Sequence, residues 1–260
     1  MKQTFILFNL NNSNRNNFIN VRSLPKELNS VLIGIMLGAK PFSSSKNIKI
    51  IHANKNNRLT NFQRKQFTLS KELKEILIGL FLGDLCAQRR STNTNLHFEQ
   101  GFKHKDYILH LFDLFKNYCR SKPKISERPL DKRTNKIYTR VQFATLSLPC
   151  FNELYLLFYS SGKKIIPLNI KELLTPIGLA YWAMDDGHKD RNNFIFNTNS
   201  YTLKEVELLK LVLKENFSLD CTIQQHKINQ YRLNIRTKSV PHFKELVNPY
   251  FYDSMKHKLI

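Results

Sequence analysis

Two apolar segments of this chain end in the same way. Leu77-Ile78-Gly79-Leu80-Phe81-Leu82-Gly83-Asp84 and Leu179-Ala180-Tyr181-Trp182-Ala183-Met184-Asp185-Asp186-Gly187 each combine helical apolar spacing with small residues and finish on an acid. Small residues let one helix backbone approach another, so the pair is expected to pack together with an acid at the bottom of each helix. Two carboxylates set side by side repel, and one pKa rises. Divalent cations relieve that repulsion, and oxygen-only ligands suit Mg²⁺. Bound cations near two phosphates are what in-line phosphodiester hydrolysis requires. An acid after one apolar helix is more often a solvated turn residue. Its repetition is what points to chemistry.

The repetition extends further. Ser147-Leu148-Pro149-Cys150-Phe151-Asn152-Glu153-Leu154 matches Ser239-Val240-Pro241-His242-Phe243-Lys244-Glu245-Leu246 at an offset of 92 residues, each copy following a strand-like segment. Ser70 is placed to cap a helix whose apolar face holds Leu73, Ile76, Leu77, Leu80 and Phe81. A short strand is expected at Leu96 to Glu99. An amphipathic helix follows over 105–119, with Ile108, Leu111, Phe112, Phe115 and Cys119 on one face. Ile137, Thr139, Val141, Phe143 and Thr145 alternate as on a half-buried strand, and Pro149 opens a helix to about Tyr159. From Pro176 the order recurs: helix to Asp185, strand Phe194 to Asn197, helix 202–216, strands near 221–227 and 231–236, helix 241–247. A duplicated unit of helix–strand–helix–strand–helix implies two pseudo-symmetric halves. The boundaries fall at 70–174 and 175–260, after a basic segment 1–69.

Charge names the partner class. The chain carries 41 Lys and Arg against 20 acids, a net charge of +21, which favours a polyanion such as nucleic acid. No apolar run reaches the roughly 18 residues of a bilayer span, so no membrane role is expected. Cys86, Cys119, Cys150 and Cys221 form no CxxC pair, which suggests neither a zinc knuckle nor a disulfide framework. The eight histidines form no HxxxH pair and are not expected to be ligands. Residues 1–22 are Asn-rich and read as a flexible leader; their composition fits a transit peptide poorly. Residues 40–70 read as linker. Between them, residues 28–39 mirror 73–84, but Ala39 stands where the acid belongs, so this stretch is either a decayed motif or a coincidence of apolar helices, and it should not bind metal.

The two acid-terminated segments resemble the paired motifs of the LAGLIDADG homing endonucleases in their monomeric, two-motif form. LAYWAMDDG, residues 179–187, is the specific match, and Gly79 to Asp84 is the weaker one; the resemblance covers about residues 70–258. It implies an α+β fold of two pseudo-symmetric αββαββα halves, with antiparallel DNA-binding sheets packed through the two motif helices. It also implies Mg²⁺ (or Mn²⁺) held at Asp84 and Asp186, with Gly83 and Asp185 beside them in the metal site and Asp185 in a supporting role. A basic residue is implied near each scissile phosphate: Lys164, and either Lys258 by family position or Lys256 by the 92-residue offset. Base and phosphate contacts are expected from the strands, which can enter the major groove. The candidates are Gln88, Arg89, Arg90, His97, Glu99, Arg140 and Gln142 in the first half. In the second they are Lys189, Arg191, Asn197, Asn199, Gln224, Gln225, Arg232, Asn234 and Arg236.

The function implied is a site-specific, double-strand DNA endonuclease promoting intron mobility. A group I intron maturase binding its host RNA is the alternative, and an inert DNA-binding regulator a third. Richness in Asn, Lys, Ile and Phe fits an AT-rich organellar genome, mitochondrial or plastid.

Overall fold

A computed structural model describes residues 58–260, together with two short paired strands, β1 (Ile6–Leu7) and β2 (Phe18–Ile19), in a separate unit. The leader and the motif-like stretch at 28–39 otherwise lie outside the described residues.

The first half opens with α1 (Asn61–Lys65), which Thr60 starts with a capping box completed by Gln63. This helix sits inside the stretch expected to be linker, and Arg64 Nη1 donates to the Ser147 carbonyl at 2.6 Å. Cap chemistry, not apolar periodicity, makes it, because none of its residues is buried. The first motif helix is α2 (Lys71–Leu82), capped by Ser70, with every residue from Ile76 to Leu82 buried. There follow β3 (Cys86–Arg90), β4 (Asn93–Gly101), α3 (Lys105–Phe115), β5 (Lys124–Glu127), β6 (Thr139–Ala144) and α4 (Asn152–Phe158).

A tight hairpin, β7 (Tyr159–Ser160) and β8 (Lys163–Lys164), then leads through α5 (Ile170–Leu173) into the second half. That half runs α6 (Pro176–Asp186), β9 (Gly187–Asp190), β10 (Asn193–Phe196), α7 (Leu203–Phe217), β11 (Cys221–Lys227), β12 (Gln230–Ile235) and α8 (Val240–Val247), and ends in a 3₁₀ turn at Asp253–Lys258. Each half therefore reads αββαββα, the expected α+β class.

The two four-stranded sheets are wholly antiparallel, in order β3-β4-β6-β5 and β11-β12-β10-β9. One face of each is apolar: Ala87, Leu96, Phe98, Val141 and Phe143 in the first, Phe194, Phe196, Leu233 and Ile235 in the second. Helices cover those faces, and the apolar side chains merge into one core through α2 and α6. Aromatic stacking locks both sides, Phe98 on Phe143 at 4.4 Å and Trp182 on Phe196 at 3.9 Å between ring centroids.

Some expected boundaries move. Residues 105–119 divide into α3 and a 3₁₀ turn at 116–118. Ile137, expected on the buried face of β6, lies before the strand and is 57% exposed. Strands β3, β5 and β9 were not evident in the sequence. All three are short and polar, and only Ala87 and Gly187 among their residues of described burial are buried.

The motif helices touch through glycine. A Cβ on Gly79 would stand 2.0 Å from the Gly178 carbonyl oxygen, and one on Gly178 would stand 3.0 Å from the Glu75 carbonyl. Contact that close leaves no room for any other residue at 79. It also sets both helix ends, and so both acids, side by side.

Candidate active site

The two helices end differently. α6 continues through Asp186, and Gly187 N–H donates to Ala183 in helical fashion. α2 stops at Leu82, and Gly83 turns away with φ −94° and ψ −138°. The N–H of Asp84 donates instead to Asp185 Oδ2, at 3.2 Å, from the other half. Asp185 Oδ1 accepts the Tyr107 hydroxyl at 3.0 Å. Gly83 is shaped by this crossing, since a Cβ there would lie 2.6 Å from Asp185 Cβ.

A lysine stands at each helix end. Lys164 Nζ donates to the Gly83 carbonyl at 2.5 Å. Lys258 Nζ donates to the Met184 carbonyl and, at 3.1 Å, to the Asp185 carbonyl. Gly83 and Asp185 are the residues directly before the two acids, so Lys164 and Lys258 occupy matching positions. Lys256 does not: its ammonium pairs with Asp253 at 2.7 Å, and its side chain is 45% exposed. The 92-residue offset thus pairs Lys164 with a lysine other than the one at the matching helix end. It fails because the two lysines sit on different supports. Lys164 is delivered by the β7–β8 hairpin, whose turn residues Ser161 and Gly162 have φ of 49° and 76°, while Lys258 comes from a 3₁₀ turn.

The electrostatics are those of crowded carboxylates. Desolvation first, and the charge of Asp84 second, push Asp186 up from 3.8 to about 7, against the pull of Lys164 and Lys258. Asp185 is pushed well above its ordinary range by desolvation and by both neighbouring acids, and the two hydrogen bonds it accepts only partly offset this. Desolvation lowers both lysines, and the acids raise them. Asp84 is exposed, and its Oδ2 accepts a hydrogen bond from Gln100 Nε2 at 3.1 Å.

Two carboxylates, two neighbouring carbonyls and lysines that oppose their repulsion make an oxygen-rich setting that fits a hard divalent cation. Mg²⁺ takes only one or two carboxylates and keeps several waters. It does not need a cluster of three or more His, Cys, Asp or Glu side chains, and none is found among the described residues.

Strand register sorts the expected DNA contacts. Cys86, Gln88, His97, Glu99, Arg140 and Gln142 share the open face of the first sheet, opposite the core. There Glu99 holds both Arg140, at 2.7 Å, and Arg128, while Ser126 accepts from Arg140 and Gln142. In the second sheet His188, Ile195, Gln224, Arg232 and Asn234 share the open face.

Three candidates stand elsewhere than expected, and a fourth is buried where it stands. Arg89 pairs with Thr94 and Lys189 with Phe194, which puts both on the helix-side rows of their sheets. Gln225 pairs with Tyr231, one register position off the open face. Asn234 is on the open face but only 5% exposed, and its Oδ1 has no hydrogen-bond partner. Single-residue alternation decides the first three cases, and nothing local in the sequence marks which parity faces out.

Arg191 sits exposed in the β9–β10 turn with φ 54°, and Arg236 is exposed beyond β12. Asn197 Nδ2 donates to the Asp186 carbonyl, and Asn199 is partly buried just after it. Arg90 lies at the end of β3. Sequence reasoning missed Gln100 and Tyr107. Gln100 falls on the strand row that otherwise faces the core, and Tyr107 reads as one more residue of an apolar helix face.

Comparison with known proteins agrees with this architecture. The model of the LAGLIDADG DNA endonuclease family matches residues 74–243. The chain is 36% identical over 215 residues to "Probable intron-encoded endonuclease 1" of Wickerhamomyces canadensis, covering 79% of this chain and 91% of that protein. It is 34% identical over 186 residues to "Cytochrome b mRNA maturase bI2" of Debaryomyces hansenii, covering 68% and 70%. Among solved structures, the homing endonuclease I-WcaI bound to its DNA recognition sequence superposes with a TM-score of 0.73 at 33% identity, covering 80% of this chain and 94% of that one. With paired motif helices, duplicated αββαββα halves and a family match over most of its length, this chain belongs to the LAGLIDADG DNA endonuclease family.

Proposed function

We propose that the protein is a site-specific endonuclease that cuts both strands of a long DNA target, acting as a monomer whose halves, 70–174 and 175–260, each serve one strand. The observation that carries this reading is the pairing of Asp84 and Asp186 at the ends of two glycine-packed helices, with one lysine beside each. The net charge of +21 and the two open sheet faces supply phosphate contacts and major-groove reach.

In this reading Asp84 and Asp186 hold Mg²⁺ or Mn²⁺, with the carbonyls of Gly83 and Asp185 close by. Bound there, the cation supplies electrostatic stabilisation of charge on the phosphate oxygens. Lys164 and Lys258 already lie at the acids and release their carbonyl partners to meet a phosphate. Their charge stabilises the pentacovalent arrangement, a contribution of the kind worth about 10²–10³ in rate. Gln100 orients the exposed carboxylate of Asp84. Gln88, His97, Arg140, Gln142, Gln224 and Arg232 read or grip the duplex from the open faces. Arg191 and Arg236 reach phosphates at the edges.

The relatives' names favour intron-encoded origin, and a cytochrome b relative favours the mitochondrion as the compartment. A maturase among the relatives favours a second reading, in which the chain binds its intron RNA and assists splicing. Incubating the purified protein with DNA spanning the uninterrupted insertion site, in Mg²⁺ or EDTA, separates them. Mg²⁺-dependent double-strand cutting is expected. Tight intron-RNA binding with no cutting of any such DNA would overturn the nuclease reading in favour of the maturase.

A further inference from the structure

The two halves are symmetric in their elements but not in how they hold their acids. Met184, Asp185 and Asp186 in the second half match Leu82, Gly83 and Asp84 in the first. α6 carries its helix through Asp186, so that acid sits on a regular hydrogen-bonded turn. α2 ends two residues before its acid, which leaves the Asp84 N–H without a helical acceptor. The missing acceptor comes from the opposite half, as Asp185 Oδ2.

Three further contacts build this crossing. Tyr107, buried on α3, donates its hydroxyl to the second oxygen of Asp185 and so fixes the plane of the carboxylate. Gly83 has no Cβ where Asp185 passes over it, and one would lie 2.8 Å from Oδ2. Tyr201, from the second half, donates to the Leu82 carbonyl at 3.1 Å, so the end of α2 is held on its acceptor side as well. The reverse strut does not exist, because the position matching Asp185 is the side-chain-less Gly83.

We propose that Asp185 is a positioning residue for the opposite half: it fixes the backbone of Asp84, so that the first-half centre depends on Asp185 while the second-half centre stands on its own helix. Both carboxylate oxygens of Asp185 are then engaged in orienting protein groups, and its contribution to the cation site is its backbone carbonyl. Cleavage of the two strands is consequently separable. Loosening the strut slows one strand and leaves a nicked duplex.

The inference rests on the nuclease reading, and its test carries a readout that does not need cleavage. The experiment compares wild type, Asp185→Ala, Asp185→Asn and Tyr107→Phe in two measurements. The first is single-turnover cleavage of a duplex labelled on either strand, in Mg²⁺. The second is hydrogen exchange of the segment containing the Asp84 amide, in the metal-free protein.

In Asp185→Ala, one strand is expected to slow at least about tenfold more than the other. It is the strand that Lys164→Met slows more, and nicked product accumulates. The Asp84 amide is expected to exchange at least about tenfold faster while the end of α6 keeps its protection. Asp185→Asn restores both, since the amide still offers an oxygen to Asp84 N–H and an N–H to the Tyr107 oxygen. Tyr107→Phe falls between.

Equal slowing of both strands, slowing of the other strand, or unchanged Asp84 exchange in Asp185→Ala would each overturn the proposal. So would failure of Asp185→Asn to recover when Asp185→Ala is folded and binds DNA. Absence of cutting by the wild type with a protected Asp84 amide would refute the nuclease reading, and with it the catalytic consequence, while leaving the strut in place.

Discussion

Replacing Gly79 by alanine attacks the joint on which the site depends. The added methyl would stand 2.0 Å from the Gly178 carbonyl oxygen and 2.8 Å from the carbonyl carbon, both backbone atoms that no rotamer change can move. The helices must part by about 1 Å to restore an ordinary contact, because packed interiors have no slack to absorb the overlap. Overpacking of this kind costs about 1–3 kcal/mol, and for a chain this size each kcal/mol lowers Tm by about 2–4 °C. The larger effect is on chemistry. The acids ride on the ends of these two helices, and a misplacement of about 1 Å costs on the order of 10² in rate.

The assay is single-turnover cleavage at saturating protein, beside thermal unfolding of the same samples. Gly79→Ala is expected to unfold several degrees early and to cut about a hundredfold more slowly with nearly unchanged DNA affinity. Gly101→Ala is the control, since a Cβ there meets nothing within 4 Å. Its Tm and rate are expected to stay at wild-type values. A Gly79→Ala protein with wild-type Tm and rate would refute the argument that this glycine contact sets the acids' separation.

Other expectations follow from the same geometry. Lys258→Met is expected to lose about 10²-fold or more in cleavage rate. Lys256→Met, which removes only an exposed pair worth a few tenths of a kcal/mol, should cut normally; the reverse ranking would return the role to Lys256. In EDTA, the stability that Asp186 contributes should fall as pH rises from about 4 to 7, against an opposite slope from His104, which burial lowers from 6.5 to about 4. Asp186 holds a proton in the folded state up to about 7 but loses it near 3.8 when unfolded, so the folded state binds more protons across that window. Asp185, raised by desolvation and by the neighbouring acids, contributes with the same sign. Urea midpoints of wild type and Asp186→Asn at pH 5 and 8 check this: the wild type should lose more stability across the interval than the variant, and an identical change in both would contradict it. Target affinity should drop about 10³–10⁵-fold between 50 and 200 mM salt if six to ten phosphates are contacted, and a filter-binding series that stays flat would argue against a backbone-gripping interface. Arg140→Ala should relax specificity at one or two base positions at a cost of about 1–3 kcal/mol, whereas uniform weakening across targets would make Arg140 a phosphate contact.

What the sequence disclosed follows from which physical signals are local. Apolar periodicity marked α2 and α3, with Ser70 as the cap of α2; the recurring element order marked α7, and the repeated proline-containing octamer marked α4 and α8. Both motif helices were legible because an acid after a small-residue helix, commonplace once, occurs twice at matching places of a repeat. The polar strands were not. In β3 Ala87 is buried while Cys86, Gln88 and Arg89 are exposed, so a single small apolar residue carries no alternation to detect, and the parity that sends Arg89 away from the open face is set by its pairing with Thr94. The roles of Tyr107 and Gln100 exist only in three dimensions. Lys258 is placed by a 3₁₀ turn that breaks the repeat, so an offset carried from one half to the other chose a different lysine.

The most direct test of the central claim is Mg²⁺-dependent cutting of target DNA by the wild type beside Asp84→Asn and Asp186→Asn, with binding measured on the same samples. Double-strand cutting by the wild type is expected. Each variant is expected to lose that cutting, with DNA affinity held within about tenfold, a change of about 1.4 kcal/mol. Full double-strand cutting by either variant would contradict the assignment of the paired carboxylates as the reactive centre.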